Sequence, residues 1–276
     1  MDLPIWLLQE IKKAQKTRVK NLFKIFLVFL FIINFTPLKS AEKAEYLKTD
    51  WSFKGLFGKF DRAQLQRGYQ VYTEVCASCH SMKYLSYRNL SEKGGPEFSE
   101  DEAKVIAASF EITDGPNADG EMFVRPGKLS DKFKKPYENV EAAKAANGGA
   151  YPPDMSVLIK ARGGGADYIY SLLQGYEDPP MGVTLDDGVY YNKYMYGNKI
   201  KMAAPLSEGI VEYSDGTEAS VQQMSKDVTT FLMWAAEPHL EARHQMGFKA
   251  IVYLIILTVL VYLSMKKIWS RVETEV

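Results

Sequence analysis

The stretch Tyr72-Thr73-Glu74-Val75-Cys76-Ala77-Ser78-Cys79-His80 decides how this chain is read. Cys-x-x-Cys-His is the spacing of covalent c-type haem attachment. Two thiols add to the two vinyl groups of the macrocycle, and two intervening residues set those thiols about one helical turn apart. His80 follows directly, placed to bring its imidazole under the iron as the proximal ligand. Cys76 and Cys79 are the only two cysteines among 276 residues. No disulfide framework competes for them, and no second pair completes a four-thiolate zinc or iron–sulfur site. The competing readings are a thioredoxin-like dithiol and a partial metal site.

Working outward, Asp61 is placed to cap a helix on which Leu65, Gly68, Tyr69, Tyr72 and Val75 recur at helical spacing and lead into the pentad. Gly68 beside two tyrosines predicts a close helix–helix crossing. Tyr84, Tyr87 and Leu90 predict a further helical turn, and a short helix is expected through Phe110. The middle is dense in turn signals, among them Asp114-Gly115-Pro116-Asn117, Tyr151-Pro152-Pro153 and Asp178-Pro179-Pro180. Gly163-Gly164-Gly165 is no phosphate loop, since no Lys-Ser/Thr follows and no apolar strand precedes it. Ser220 caps a helix with Met224, Val228, Phe231 and Leu232 on one face, running to Glu237 and stopped by Pro238. A short polar hinge is expected next, with His239 and His244 as hinge residues. The expected fold class is mainly α: a c-type cytochrome fold with long haem-wrapping loops, plus one C-terminal transmembrane helix.

Both ends are membrane-directed. Six Lys/Arg from Lys12 to Lys24 precede an apolar run from Ile25 to Ile33, then Pro37, Ser40 and Ala41. That order predicts a signal peptide over 1–40 with cleavage after Ser40. Residues 247–265 are apolar on every face with one charge, Lys249, at the edge. Lys266, Lys267 and Arg271 follow, which predicts a single span with a cytoplasmic tail over 266–276. The section 41–246 is then an exported, periplasmic cytochrome domain, and the whole chain a single-pass protein of the cell inner membrane.

The formal net charge is zero, but residues 1–40 carry seven Lys/Arg against two Asp/Glu, and 247–276 carry four against two. The section between therefore holds 23 basic and 30 acidic residues of the 34 of each sign. A net −7 there argues against nucleic acid and for a basic partner. The cluster Glu92, Glu97, Glu100, Asp101 and Glu102 is a candidate docking face for a basic electron carrier. The second axial position calls for a thioether, which favours ferrous iron and a high potential. Met202 and Met181, both beside prolines in open segments, are the candidates that spacing leaves.

Longer runs carry a resemblance. Gly68-Tyr69-Gln70-Val71-Tyr72 stands before the pentad, with Ser81-Met82 and Tyr87-Arg88 after it. Gly120-Glu121-Met122-Phe123-Val124-Arg125-Pro126-Gly127-Lys128-Leu129-Ser130-Asp131, Ser171-Leu172-Leu173, Met202-Ala203-Ala204-Pro205 and Trp234-Ala235-Ala236-Glu237-Pro238 follow. From about Trp51 to Trp269 the chain resembles the cytochrome c1 family, the haem subunits of ubiquinol–cytochrome c reductase, in its bacterial type. The resemblance implies one covalently bound haem c, thioether roles for Cys76 and Cys79, and His80 and Met202 as iron ligands. It also implies Arg125 facing a haem propionate. The implied partners are cytochrome b and the Rieske iron–sulfur protein in one complex, cytochrome c as acceptor, and the membrane. Two departures from the family's vertebrate pattern stand out: no extra cysteines, and Ala204 where a proline would stand. Neither touches the iron. The alternatives are a membrane-anchored thiol oxidoreductase or a free-standing membrane-bound c-type cytochrome.

Overall fold

The computed structural model describes residues 45–272. The expected signal peptide over 1–40 and the tail beyond 272 lie outside the described residues.

Helix α1 (Arg62–Glu74) begins where expected, with the Asp61 carboxylate accepting from the Gln64 N–H at 2.9 Å. It ends directly ahead of a 3-10 turn over Cys76–Ser78. A second 3-10 turn covers Tyr87–Ser91, and α2 spans Glu100–Ala108. Ser99 and Glu102 cap α2 reciprocally, each side chain accepting from the other's backbone N–H. Strands β1 (Glu111–Asp114) and β2 (Phe123–Pro126) pair antiparallel, with Ile112 opposite Arg125. Then come α3 (Val140–Ala146) and α4 (Gly165–Gln174), followed by two-residue strands β3 (Tyr190–Tyr191) and β4 (Lys199–Ile200). Helix α5 (Val221–Ala236) starts on a Ser220 cap and closes at Glu237, ahead of Pro238. Helix α6 runs unbroken over Leu240–Val272.

The core forms where α1 crosses α5. Leu65, Val71, Met224, Val228, Phe231 and Leu232 are fully buried there, each worth about 1.5–3 kcal/mol of apolar burial. The predicted close approach at Gly68 is real, and its partner is α5. A Cβ on Gly68 would stand 2.2 Å from the Asp227 carbonyl oxygen. Tyr69 and Tyr72 flank the crossing, each with its ring 5.7 Å from that of Phe231. Tyr87 extends the aromatic layer, stacked on Phe133 at 5.0 Å and Phe110 at 5.3 Å.

Outside these elements the described residues are loop. Between α4 and α5, residues 175–220 hold only β3, β4 and one 3-10 turn, which agrees with the expected wrapping loops. The polar hinge does not form. Leu240 is buried, and the Glu241 carboxylate takes Arg62 through both oxygens, at 2.8 and 2.9 Å, plus the Phe60 N–H at 2.9 Å. Glu237 pairs with Lys160 and Arg243. These contacts fasten the first turns of α6 to the domain, and no Gly or Pro interrupts residues 240–246, so the helix enters its apolar section without a break. His239 is exposed ahead of the helix, and His244 lies within it.

Candidate functional site

The pentad is shaped by its own backbone. The Cys79 and His80 N–H groups both donate to the Cys76 carbonyl, at 3.2 and 2.9 Å. That single turn brings Cys76, Cys79 and His80 together. Cys76 is buried, Cys79 half-buried, and the two are not joined in a disulfide. The Tyr72 hydroxyl donates to the His80 carbonyl at 3.3 Å.

The His80 ring is tied from a distant loop. Its Nδ1 lies 2.8 Å from the Pro153 carbonyl oxygen. A carbonyl only accepts, so Nδ1 carries the proton and Nε2 presents a lone pair. Burial lowers the pKa of His80 despite the opposing Pro153 bond and Asp154 charge, which keeps the ring neutral. A neutral imidazole with Nδ1–H fixed by a carbonyl is the state a metal ligand needs. Asp154 holds the loop in place, accepting from Ser81 Oγ at 2.8 Å and from the Lys83 and Ser156 N–H groups, both at 3.0 Å. Sequence reasoning took Pro152-Pro153 for a turn and missed this role, which no local signal carries.

Met202 lies in the bend after β4 and is half-buried, whereas Met181 is fully exposed. Two residues on from Met202, Ala204 lines a cavity of about 400 Å³ with Tyr176 and Tyr191. The buried Tyr176 hydroxyl has no hydrogen-bond partner among the described residues.

The sequence profile of the Cytochrome C1 family matches residues 51–272. The chain belongs to the cytochrome c1 family. It is 46% identical over 242 residues to a cytochrome c1 of Rhodospirillum rubrum, covering 82% of this chain and 88% of that one. It is 50% identical over 222 residues to a mitochondrial cytochrome c1 haem protein of Arabidopsis thaliana, covering 79% and 71%. It is 52% identical over 239 residues to the "Cytochrome b/c1" protein of Bradyrhizobium diazoefficiens, where the match covers 80% of this chain but 35% of the longer relative.

Cytochrome c1 proteins carry covalently bound haem c, and the pentad fits that group. Membership of this family does not favour the dithiol alternative. Burial pushes the Cys76 thiol up to about 12, whereas exchange chemistry calls for a depressed thiol pKa. Among the described residues no three His, Cys, Asp or Glu side chains gather into a metal cluster. Electron transfer is the work this family does.

Arg125 is on β2, apart from the pentad in sequence. Its guanidinium pairs with Asp114 through Nε, and with Asp131 through Nη1 at 2.6 Å and Nη2 at 3.0 Å, while Nη1 also donates to the Pro126 carbonyl. The Asp131 and Asp114 hydrogen bonds raise the Arg125 pKa, and Arg125 in turn lowers both carboxyls. Four of its five hydrogens are engaged this way, leaving one on Nη2 for a further anion. The acidic cluster is partly committed to its own helix: Lys104 pairs with Glu100 and Asp101, and Glu102 with the Ser99 cap.

Asp154 gives a test of the ring support. Replacing Asp154 with alanine is expected to cost about 1–3 kcal/mol, the range for hydrogen bonds to a charged acceptor at a partly exposed site. Burial works against the Asp154 charge, but the bonds from Ser156, Lys83 and Ser81 outweigh it and hold the pKa below its ordinary value. The contribution is therefore present above about pH 4 and fades as pH falls through the lower folded-state value. Urea denaturation of both proteins across pH 3–7 checks this (roughly the window spanning both values). A gap between parent and variant that widens on acidification would refute it.

Proposed function

We propose that this chain is the electron-transfer haem subunit of a ubiquinol–cytochrome c reductase. It takes one electron from the Rieske iron–sulfur protein and passes it to cytochrome c, beside cytochrome b in the membrane. The observation that carries the reading is the His80 ring: one nitrogen fixed on the Pro153 carbonyl at 2.8 Å, the other free, one residue after a turn that bears two unpaired cysteines.

Bound haem supplies a one-electron iron couple. Cys76 and Cys79 hold it through thioethers, so it stays attached in both oxidation states. His80 would ligate the iron through Nε2, with the Pro153 acceptor on Nδ1 raising the basicity of that nitrogen. Met202 would supply a thioether to the iron, a ligand that favours the reduced state. Arg125, its guanidinium held by Asp114 and Asp131, would have one Nη2 hydrogen left to donate to a haem propionate. Helix α6 anchors the domain: the helix is long and apolar enough to cross a bilayer. The haem domain faces the periplasm, the tail the cytoplasm, and residues 1–40 are the export signal.

Purified protein is expected to show a c-type α band in its reduced-minus-oxidised spectrum, a mass gain of one haem, and no thiol open to alkylation. Two alkylatable thiols without an α band would establish the oxidoreductase instead. Failure to co-purify with cytochrome b would leave a free-standing membrane cytochrome.

A further inference from the structure

Residues 52–59 form a closed loop whose tip has the wrong chemistry for water. The Lys59 N–H donates to the Ser52 carbonyl at 2.9 Å, closing the stem, and the Gly58 N–H donates to Gly55 at 3.2 Å, closing the tip. The two central residues of that tip are Leu56 and Phe57, which are 61% and 71% exposed. Turn centres ordinarily carry Gly, Pro, Asn, Asp or Ser. Single exposed apolar residues are unremarkable on a surface, but two adjacent ones held outward on a fixed turn call for a partner.

The stem does not let the tip fold inward. Phe53 and Phe60, on either side of it, are buried in the core with their rings 5.4 Å apart. A Cβ on Gly58 would stand 2.2 Å from the Phe53 carbonyl oxygen. Glu241 of α6 holds the base of the loop through the Phe60 N–H.

The level of the tip is set by α6. The Phe57 ring meets the Phe248 ring edge-on at 5.9 Å. Phe248 stands at the N-terminal edge of the apolar section 247–265, whose nineteen residues span about 28 Å, close to the ~30 Å of a hydrocarbon core. Phe57 is therefore level with the boundary between headgroups and acyl chains. Exposed Lys59 beside it and Lys249 on α6 supply cations at the depth of lipid phosphates. Lys54 is turned away, toward Asp167.

We infer that the turn Gly55–Gly58 is a second, non-spanning membrane contact: Leu56 and Phe57 enter the lipid boundary beside α6. With the spanning helix it gives the domain two points of attachment, which fixes its tilt over the bilayer. The inference rests on α6 crossing the membrane, so the test probes the two separately.

The experiment places single cysteines in the full-length holoprotein, reconstituted in vesicles of phosphatidylcholine with phosphatidylglycerol. Phe57→Cys, Ile256→Cys and Val105→Cys are spin-labelled, and collisions with oxygen and with a water-soluble nickel chelate are measured. With Cys76 and Cys79 in thioethers the new thiol alone reacts, and the parent protein serves as the unlabelled control. At 57 a label depth of about 5–10 Å inside the boundary is expected, with an oxygen-to-nickel ratio several-fold above that at 105. Nickel access at 57 equal to that at 105, with 256 deep in lipid, overturns the inference and leaves the span. Label at 57 closed to both reagents means another protein covers the turn, and also overturns it. Nickel access at 256 overturns the span and the inference together.

Discussion

Replacing Met202 with leucine is expected to lower the midpoint potential of the haem by on the order of 0.2 V, within the ~0.8 V range that axial ligation commands. The two side chains have nearly equal volume, so the fold should lose less than about 1.5 kcal/mol. On the proposed ligation, what disappears is the thioether sulfur, a ligand type that favours ferrous iron. Cys76 and Cys79 are untouched, so the haem remains covalently attached and the protein remains coloured. A one-electron couple shifts tenfold for about every 59 mV, so a fall of ~0.2 V moves the equilibrium against electron acceptance by about three decades. Quinol-driven reduction of cytochrome c should fall with it. Met181→Leu is the control, since that side chain is fully exposed on its own loop. It should leave potential and turnover at the parent values. Redox titration of both variants separates the two methionines that spacing leaves open. A Met202→Leu protein with the parent potential removes Met202 from the iron.

What could be read from sequence was local. Asp61 and Ser220 cap their helices through bonds to residues three along, and Pro238 closes α5 where its missing N–H requires. The Cys76 turn is fixed by bonds inside five residues, which is why the pentad alone pointed to its cofactor. What escaped depends on distant partners. Helix α4 starts in Gly163-Gly164-Gly165, which reads as a loop. Gly164 has φ +95°, and a Cβ there would stand 2.4 Å from the Tyr46 ring, so tertiary packing demands the glycine. The polar run from Glu237 to Met246 reads as a hinge because its partners, Arg62, Lys160 and Gly58, lie far back in the chain. Likewise the Pro153 carbonyl that orients His80 is 73 residues away. Met202 was singled out only by resemblance, since a methionine in an open loop carries no local mark of ligation.

The second large effect is expected at Gly68, where Gly68→Ala should destabilise the protein by about 3–5 kcal/mol. The added Cβ would stand 2.2 Å from the Asp227 carbonyl oxygen and 2.7 Å from the Phe231 Cβ. The nearer atom is backbone within α5, so no rotamer change makes room, and the helices must separate. Overpacking by itself costs about 1–3 kcal/mol. The neighbouring residue makes it worse. Arg67 Nε bonds Asp227, 2.9 Å away, and that carboxylate is fully buried. Separating α1 from α5 stretches this pair, and a buried charge left without its partner costs about 3–5 kcal/mol. A domain of this size loses about 2–4 °C in Tm per kcal/mol, so a fall of roughly 6–20 °C is expected by circular dichroism of the full chain in detergent. Trimming Phe231 to leucine should not restore it, because the obstructing atom is the carbonyl. Since α1 ends two residues before Cys76, a displaced helix also shifts the thiols, and the yield of covalent holoprotein should drop. A Gly68→Ala protein within about 1 kcal/mol of the parent, beyond the usual scatter of surface changes, would mean that α1 and α5 do not cross in backbone contact.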